Sequence, residues 1–354
     1  MIAGMIALMD SFVPRSFLRG GHAMTLFGWG NPRHFTNLPA PTERYFDTAP
    51  RTRVLAHCHW QPVPHERPTI LALHGLNGSS SSHYMRGIAA KAFVRGMNVV
   101  LLNQRNCGNT EHLSAGLFHS GLTADARHVV DELSRVDGLR SIAVAGYSLG
   151  GNLAVKLAGE YGDTLPEALL GVVAISPIIE IGDCTRALER RQNFAYEWNF
   201  VRALKKRMRR KEQFWPGLFD LSKLDSIRTV RQFDDVYTAP HFGFRDAEDY
   251  YYRCSAMRIA DRVRAPALVI TAEDDPFVPV GPFRSQLLAA NRHIDVQVTR
   301  YGGHCGFIGT QAADDDGYWA EQQIVNFVAQ RHEACVTRRD GHAMSGLQYV
   351  ASDL

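Results

Sequence analysis

Five segments of this chain are almost continuously apolar, rich in β-branched residues and bounded by glycine, proline or polar turns: Thr69–Gly75, Met97–Asn103, Ser141–Gly146, Leu169–Ser176 and Pro266–Ala272. They are too short for core helices and lack the alternation of half-exposed strands. They therefore read as strands buried on both faces, the condition of a parallel sheet covered by helices. A sixth strand is expected over Ile294–Thr299, and helical periods fill the gaps over Tyr84–Arg95, Ala124–Val136, Leu149–Tyr161 and Pro282–Asn291, with Tyr318–Gln330 closing the pattern. Strand alternating with helix predicts a three-layer α/β architecture, a mostly parallel central sheet flanked by helices. Only "TRVLAHCHW", Thr52–Trp60, alternates as an edge or antiparallel strand would.

The alternation stops between about Ile179 and Ala260, where arginine- and aromatic-rich helical patterns replace strands. An insertion at that point would sit over the carboxyl edge of the sheet, where α/β proteins bind ligands. The expected organisation is one domain over residues 1–335 with a helical cap insertion at about 179–260, and a weakly structured tail over 336–354. The 354 residues suffice for one large core. No apolar run is long enough to span a bilayer, and the six cysteines form no CxxC pairs, which argues against a disulfide framework or zinc finger. The apolar opening "MIAGMIALM" lacks a basic leader and is followed by Asp10, so it reads poorly as a signal peptide and the expected location is cytoplasmic. Net charge is +3, but ten of the Lys and Arg fall within Arg186–Lys211 against two Glu there, which is not a nucleic-acid footprint.

The sharpest chemical signal is Gly146-Tyr147-Ser148-Leu149-Gly150, a G-x-S-x-G directly after one expected strand and directly before a helix. A serine at such a turn is forced into a strained backbone, the glycines remove side chains that would collide, and the hydroxyl projects into the cleft. A serine nucleophile needs a base, and the base needs an orienting carboxylate. Asp274 and Asp275 end one strand, and His304 follows the next, in the chain order Ser, Asp, His. Asp275 is preferred over Asp274 because its turn into Pro276 suits an acid loop. An oxyanion hole needs two backbone N–H groups: Leu149, after the serine, and Leu76, in "LALHGLNGSSSSHYM" after an earlier strand.

With these residues assembled, the sequence resembles the α/β-hydrolase superfamily, and within it the YheT-like branch of bacterial hydrolases and mammalian acylglycerol lipases. The stretches that carry the resemblance are "FVPRSFLRGGHAMTLFG", "HGLNGSSSSHYMR", "RNCGN", "FHSGLTADARHVV", "GYSLGGN", "FDDVYTAPHFGFRDAEDYYYRCSA" and "AEDDPFVP", which extend it to about residue 330. One departure is Asn106, where the family pattern has glycine; asparagine tolerates positive φ, so the turn should survive. The resemblance implies the α/β-hydrolase fold and an ester or acylglycerol hydrolase without cofactor.

Weaker signals have ordinary readings. His57 and His59 have the H-x-H spacing of some zinc sites but no third ligand nearby in sequence, so no metal is expected. Phe194, Trp198, Val201, Leu204 and Met208 form a helical stripe within the basic stretch 186–211. It reads first as a cap helix over the site, second as a surface docking on anionic membrane. "HFGFRD", His241–Asp246, only loosely matches an acyltransferase pattern, and Tyr250, Tyr251 and Tyr252 read as cap anchors. The expected function is a serine esterase or lipase-like enzyme for moderately hydrophobic acyl esters. The alternatives are a ligand-binding protein on the same scaffold, or a thioesterase or acyltransferase using the same residues.

Overall fold

The structure, a computed structural model, describes residues 12–311 and 316–350, with the side chains of the last helix described as far as Arg338. The apolar opening Met1–Met9 lies outside the described residues. Within them one sheet is built from β1 (Thr42–Ala49), β2 (Thr52–His59), β3 (Thr69–Leu73), β4 (Asn98–Leu102), β5 (Ile142–Tyr147), β6 (Leu169–Ile175), β7 (Ala267–Ala272) and β8 (Ile294–Thr299). Their order is β1-β2-β4-β3-β5-β6-β7-β8. β1 and β2 pair antiparallel, β2 joins β4 antiparallel, and every later pairing is parallel. β1 escaped the sequence reading because its "TERYFDTA" is mostly polar and fully buries only Phe46, as an edge strand does.

The helices that position the site are α1 (Gly21–Gly30), α2 (His83–Val94), α3 (Ala124–Arg135), α4 (Leu149–Tyr161), α5 (Ile181–Leu188) and α6 (Phe194–Phe214). Alternating residues of β3 face opposite ways. Ile70 and Ala72 pack with Met85 and Ile88 of α2 and with Ile324 and Val328 of the last helix. Leu71 and Leu73 pack with Val129 and Leu133 of α3 and Leu153 and Leu157 of α4. Burying each such side chain contributes about 1.5–3 kcal/mol, which is why the central strands read as uninterrupted apolar runs.

Two helix expectations need correction. Pro282–Asn291 is not one helix but two short turns, Gly281–Arg284 and Gln286–Ala289, broken where Ser285 adopts extended backbone. Of the tail expected to be weakly structured over 336–354, the described part continues the helix Trp319–Val350, and residues 351–354 lie outside the described residues. No proline interrupts that span, and its glutamines, alanines and arginines favour helix strongly enough to carry Gly341 and Gly346.

Between β6 and β7 the regular elements among the described residues are all helices, beginning with α5 and α6. The stripe on α6 divides. Val201, Leu204 and Met208 are buried, whereas Phe194 and Trp198 are 68% and 53% exposed, so the expectation that the whole stripe packs inward holds only for its second half. Tyr250 and Tyr251 are buried while Tyr252 faces solvent. His57 lies against Ser80 and His59 is buried on β2, where desolvation lowers its pKa to about 4. Among the described residues no helix is long and apolar enough to cross a membrane, and no cluster of His, Cys, Asp or Glu could hold a metal.

Candidate active site

Strand order reverses across β3, with β4 on one side and β5 on the other, and the crevice at such a reversal is where α/β sheets place ligands. The loop after β3 begins with His74 and Gly75, and the turn after β5 is Ser148. Ser148 has φ 53° and ψ −115°, a strained conformation for a residue with a side chain, held by its N–H donating to Ile175 O and its carbonyl accepting from Asn152. The flanking glycines are sterically required: a Cβ at Gly146 would lie 2.0 Å from Gly150 O, and one at Gly150 would lie 2.2 Å from Leu73 O.

His304 and Asp275 converge on this serine from two loops, after β8 and β7. Ser148 Oγ lies 2.9 Å from His304 Nε2, and His304 Nδ1 lies 2.8 Å from Asp275 Oδ2. The carboxylate makes Nδ1 the donor, which leaves Nε2 as the acceptor facing Ser148 Oγ. Asp275 is itself oriented by the N–H groups of Phe277 and Val278, which donate to Oδ1. Burial disfavours the imidazolium, but the adjacent Asp275 carboxylate more than offsets this, so the His304 pKa stands above the ordinary histidine value. Asp274, the reserve choice, faces elsewhere: its Oδ1 accepts from Gly303 N and so shapes the turn that presents His304.

The backbone around the expected oxyanion donors is ordered by side chains the sequence did not single out. Tyr84 OH accepts from Gly75 N at 3.0 Å, occupying that donor. Buried His74, its pKa lowered to about 4 by desolvation, bonds the Gly75 carbonyl and accepts from Gln104 N. Among the described residues Leu76 N and Leu149 N have no protein acceptor, and both residues line the space above Ser148. A second unforeseen contributor is Thr25 of α1, whose Oγ accepts from His304 N at 2.8 Å across 279 positions of sequence. A contact so distant leaves no local periodicity or spacing to read.

The cap is tied down over the site. Asn106 does adopt positive φ, 62°, and its side chain bonds Gly116 O and accepts from Lys211 Nζ of α6. Lys211 is fully buried, and desolvation pushes its pKa down to about 8. Tyr250 bonds Ser120, Tyr251 donates to Asp234, and His241 accepts from Leu117 N, which places "HFGFRD" in cap packing. Two cavities meet at Ser148: an apolar chamber of about 100 Å³ lined by cap residues and a larger cleft of about 400 Å³ lined by His304.

The chain belongs to the α/β-hydrolase fold family, whose profile matches residues 68–309, and within it to the YheT-like branch. It is 34% identical to the Escherichia coli protein named "Putative esterase YheT" over 272 residues, 76% of this chain and 78% of that one. It is 27% identical to a monoacylglycerol lipase of Saccharomyces cerevisiae across 75% of this chain and 60% of that protein. Among solved structures, the esterase Pf2001 of Pyrococcus furiosus superposes with a TM-score of 0.55 at 17% identity, covering 84% of this chain and 98% of that one, which is a likeness of fold.

Proposed function

We propose that this protein is a serine carboxylic-ester hydrolase that acts on small-molecule, moderately hydrophobic esters and carries the acyl group on Ser148. The observation that supports it most is the unbroken line from Ser148 Oγ through His304 to Asp275 on a strained strand-to-helix elbow. As Oγ attacks the ester carbonyl, His304 Nε2 takes its proton, and the oxyanion is received by the N–H groups of Leu76 and Leu149. The imidazolium returns the proton to the departing alcohol. Water, deprotonated in turn by Nε2, then releases the acid from the acyl-serine. Relatives named as an esterase and as a monoacylglycerol lipase agree with this chemistry. Purified protein should hydrolyse p-nitrophenyl esters, and Ser148→Ala should lower kcat by more than about 10³-fold with the fold intact. A fluorophosphonate that fails to label Ser148 would overturn the assignment.

We further infer that the cap touches anionic membrane peripherally, through a smaller surface than the basic stretch 186–211 suggests. Much of that stretch is committed internally: Lys211 is buried, and Arg186, Arg209 and Arg210 pair with acidic side chains. Arg190, Arg191, Arg202 and Lys206 are exposed beside the equally exposed Phe194 and Trp198. Basic side chains flanking exposed aromatics suit an anionic lipid interface. Co-flotation with phosphatidylglycerol vesicles but not phosphatidylcholine vesicles, weakened in Trp198→Ser, is the expected result; equal behaviour with both lipids would reject it.

A further inference from the structure

Building on the reading of Ser148 as nucleophile, ester cleavage requires the proton held on His304 Nε2 to reach the leaving oxygen, so the alcohol must depart on the side of Ser148 that His304 lines. The two cavities differ in that respect. His304 lines the 400 Å³ cleft, which runs past Asn199 and Ala203 to the half-exposed Trp29. It does not line the 100 Å³ chamber, whose walls include Leu149, Ile178, Leu204, Met208 and Phe233. Leu76, Ser148, Phe200 and Phe277 border both and form the waist between them.

We propose that the acyl chain enters the smaller chamber and the alcohol occupies the larger, His304-lined cleft, so that the preferred substrates are esters of short acyl chains with bulky alcohols. The sizes support this division. A cavity of about 150 Å³ accommodates benzene, six carbons, so by proportion a chamber of 100 Å³ takes roughly four. The cleft by the same ratio takes roughly sixteen non-hydrogen atoms. One wall of the chamber carries the buried Asp234 carboxyl, held by Thr238 Oγ at 2.7 Å and Tyr251 OH at 2.8 Å, with burial raising its pKa to about 7. Both carboxyl oxygens have their donors within the cap, so this wall is held in place by the cap's own hydrogen bonds.

Octyl acetate and ethyl octanoate test the division directly, because they are isomers with unactivated leaving alcohols and differ only in which side of the ester is long. Wild-type kcat/KM should favour octyl acetate by about tenfold or more, since methylenes misplaced in an apolar pocket discriminate at that scale. Enlarging the chamber by Met208→Ala should raise ethyl octanoate relative to octyl acetate by about threefold or more, and Phe233→Ala supplies an independent enlargement if the first variant does not fold. Ala203→Trp, which narrows the cleft, should lower octyl acetate relative to ethyl octanoate. Wild-type preference for ethyl octanoate, or a ratio near one that no variant moves, overturns the inference. Fluorophosphonate labelling and p-nitrophenyl acetate turnover are measured alongside. Loss of both removes the Ser148 reading, whereas a labelled, active enzyme with the wrong isomer preference removes only this division of the cleft.

Discussion

The aspartate beside His304 governs both the tautomer and the acidity of the imidazole. Because the His304 pKa stands above the ordinary value, lowering pH protonates Nε2 earlier than in an unpaired histidine and removes the proposed base. The acid limb of kcat/KM against pH should therefore lie above the usual histidine range. Asp275→Asn should move it to lower pH while reducing kcat by about 10⁴-fold, because the amide no longer fixes the tautomer. A pH–rate series on both proteins checks the sign, and an acid limb unmoved by the substitution would contradict it. At this scale the sequence was informative: Ser148 and His304 stood out by residue type and chain order. Asp275 against Asp274 was harder, since adjacent carboxylates on one turn differ only in direction. The side chains that hold the site, Thr25 and Tyr84, carried no local signal.

Elements are joined here by polar groups as much as by apolar faces. α6 is anchored over the site by a buried ammonium, Lys211, bonded to Asn106 Oδ1 and to the carbonyl of Ser114. Lys211→Ala would leave both acceptors unsatisfied and should cost about 3 kcal/mol, read as a lower denaturation midpoint; Lys211→Met, which fills the space, should cost less. The sign with pH is also determined. Desolvation depresses this amine to about 8, so the folded state holds fewer protons than the unfolded one above that pH. Wild-type stability relative to Lys211→Met should therefore rise from about pH 8 toward the ordinary lysine value. A midpoint difference that stays flat over that window would exclude the depression of this amine by burial. In the basic stretch only the apolar stripe stood out in the sequence, and the packed helix alone shows that a cation, Lys211, points inward as well.

Across the molecule, the segment after α1 is fastened to the far end of the chain. Arg33 and Lys91 both meet Glu321, 2% exposed, and Asp316, so the N-terminal segment, α2 and the last helix share one ion network. Removing a partner from such a site strands buried charge. Glu321→Ala should destabilise the protein by about 3–5 kcal/mol, measurable by denaturant unfolding, and a loss under 1 kcal/mol would show that water compensates. Sequence by itself determined the three-layer α/β class, the central strands and the elbow, because burial on both faces, strand-to-helix transitions and glycine-serine spacing are local properties that write a local pattern. It did not determine the polar edge strand β1, the break at Ser285 or the helical end of the chain to Val350. Tertiary structure alone decided which aspartate meets His304, which donors remain open for an oxyanion, and that a small chamber and a larger cleft meet at Ser148. Each of those depends on side chains brought together from distant positions, and the free energy that selects among them exists only once the chain has packed.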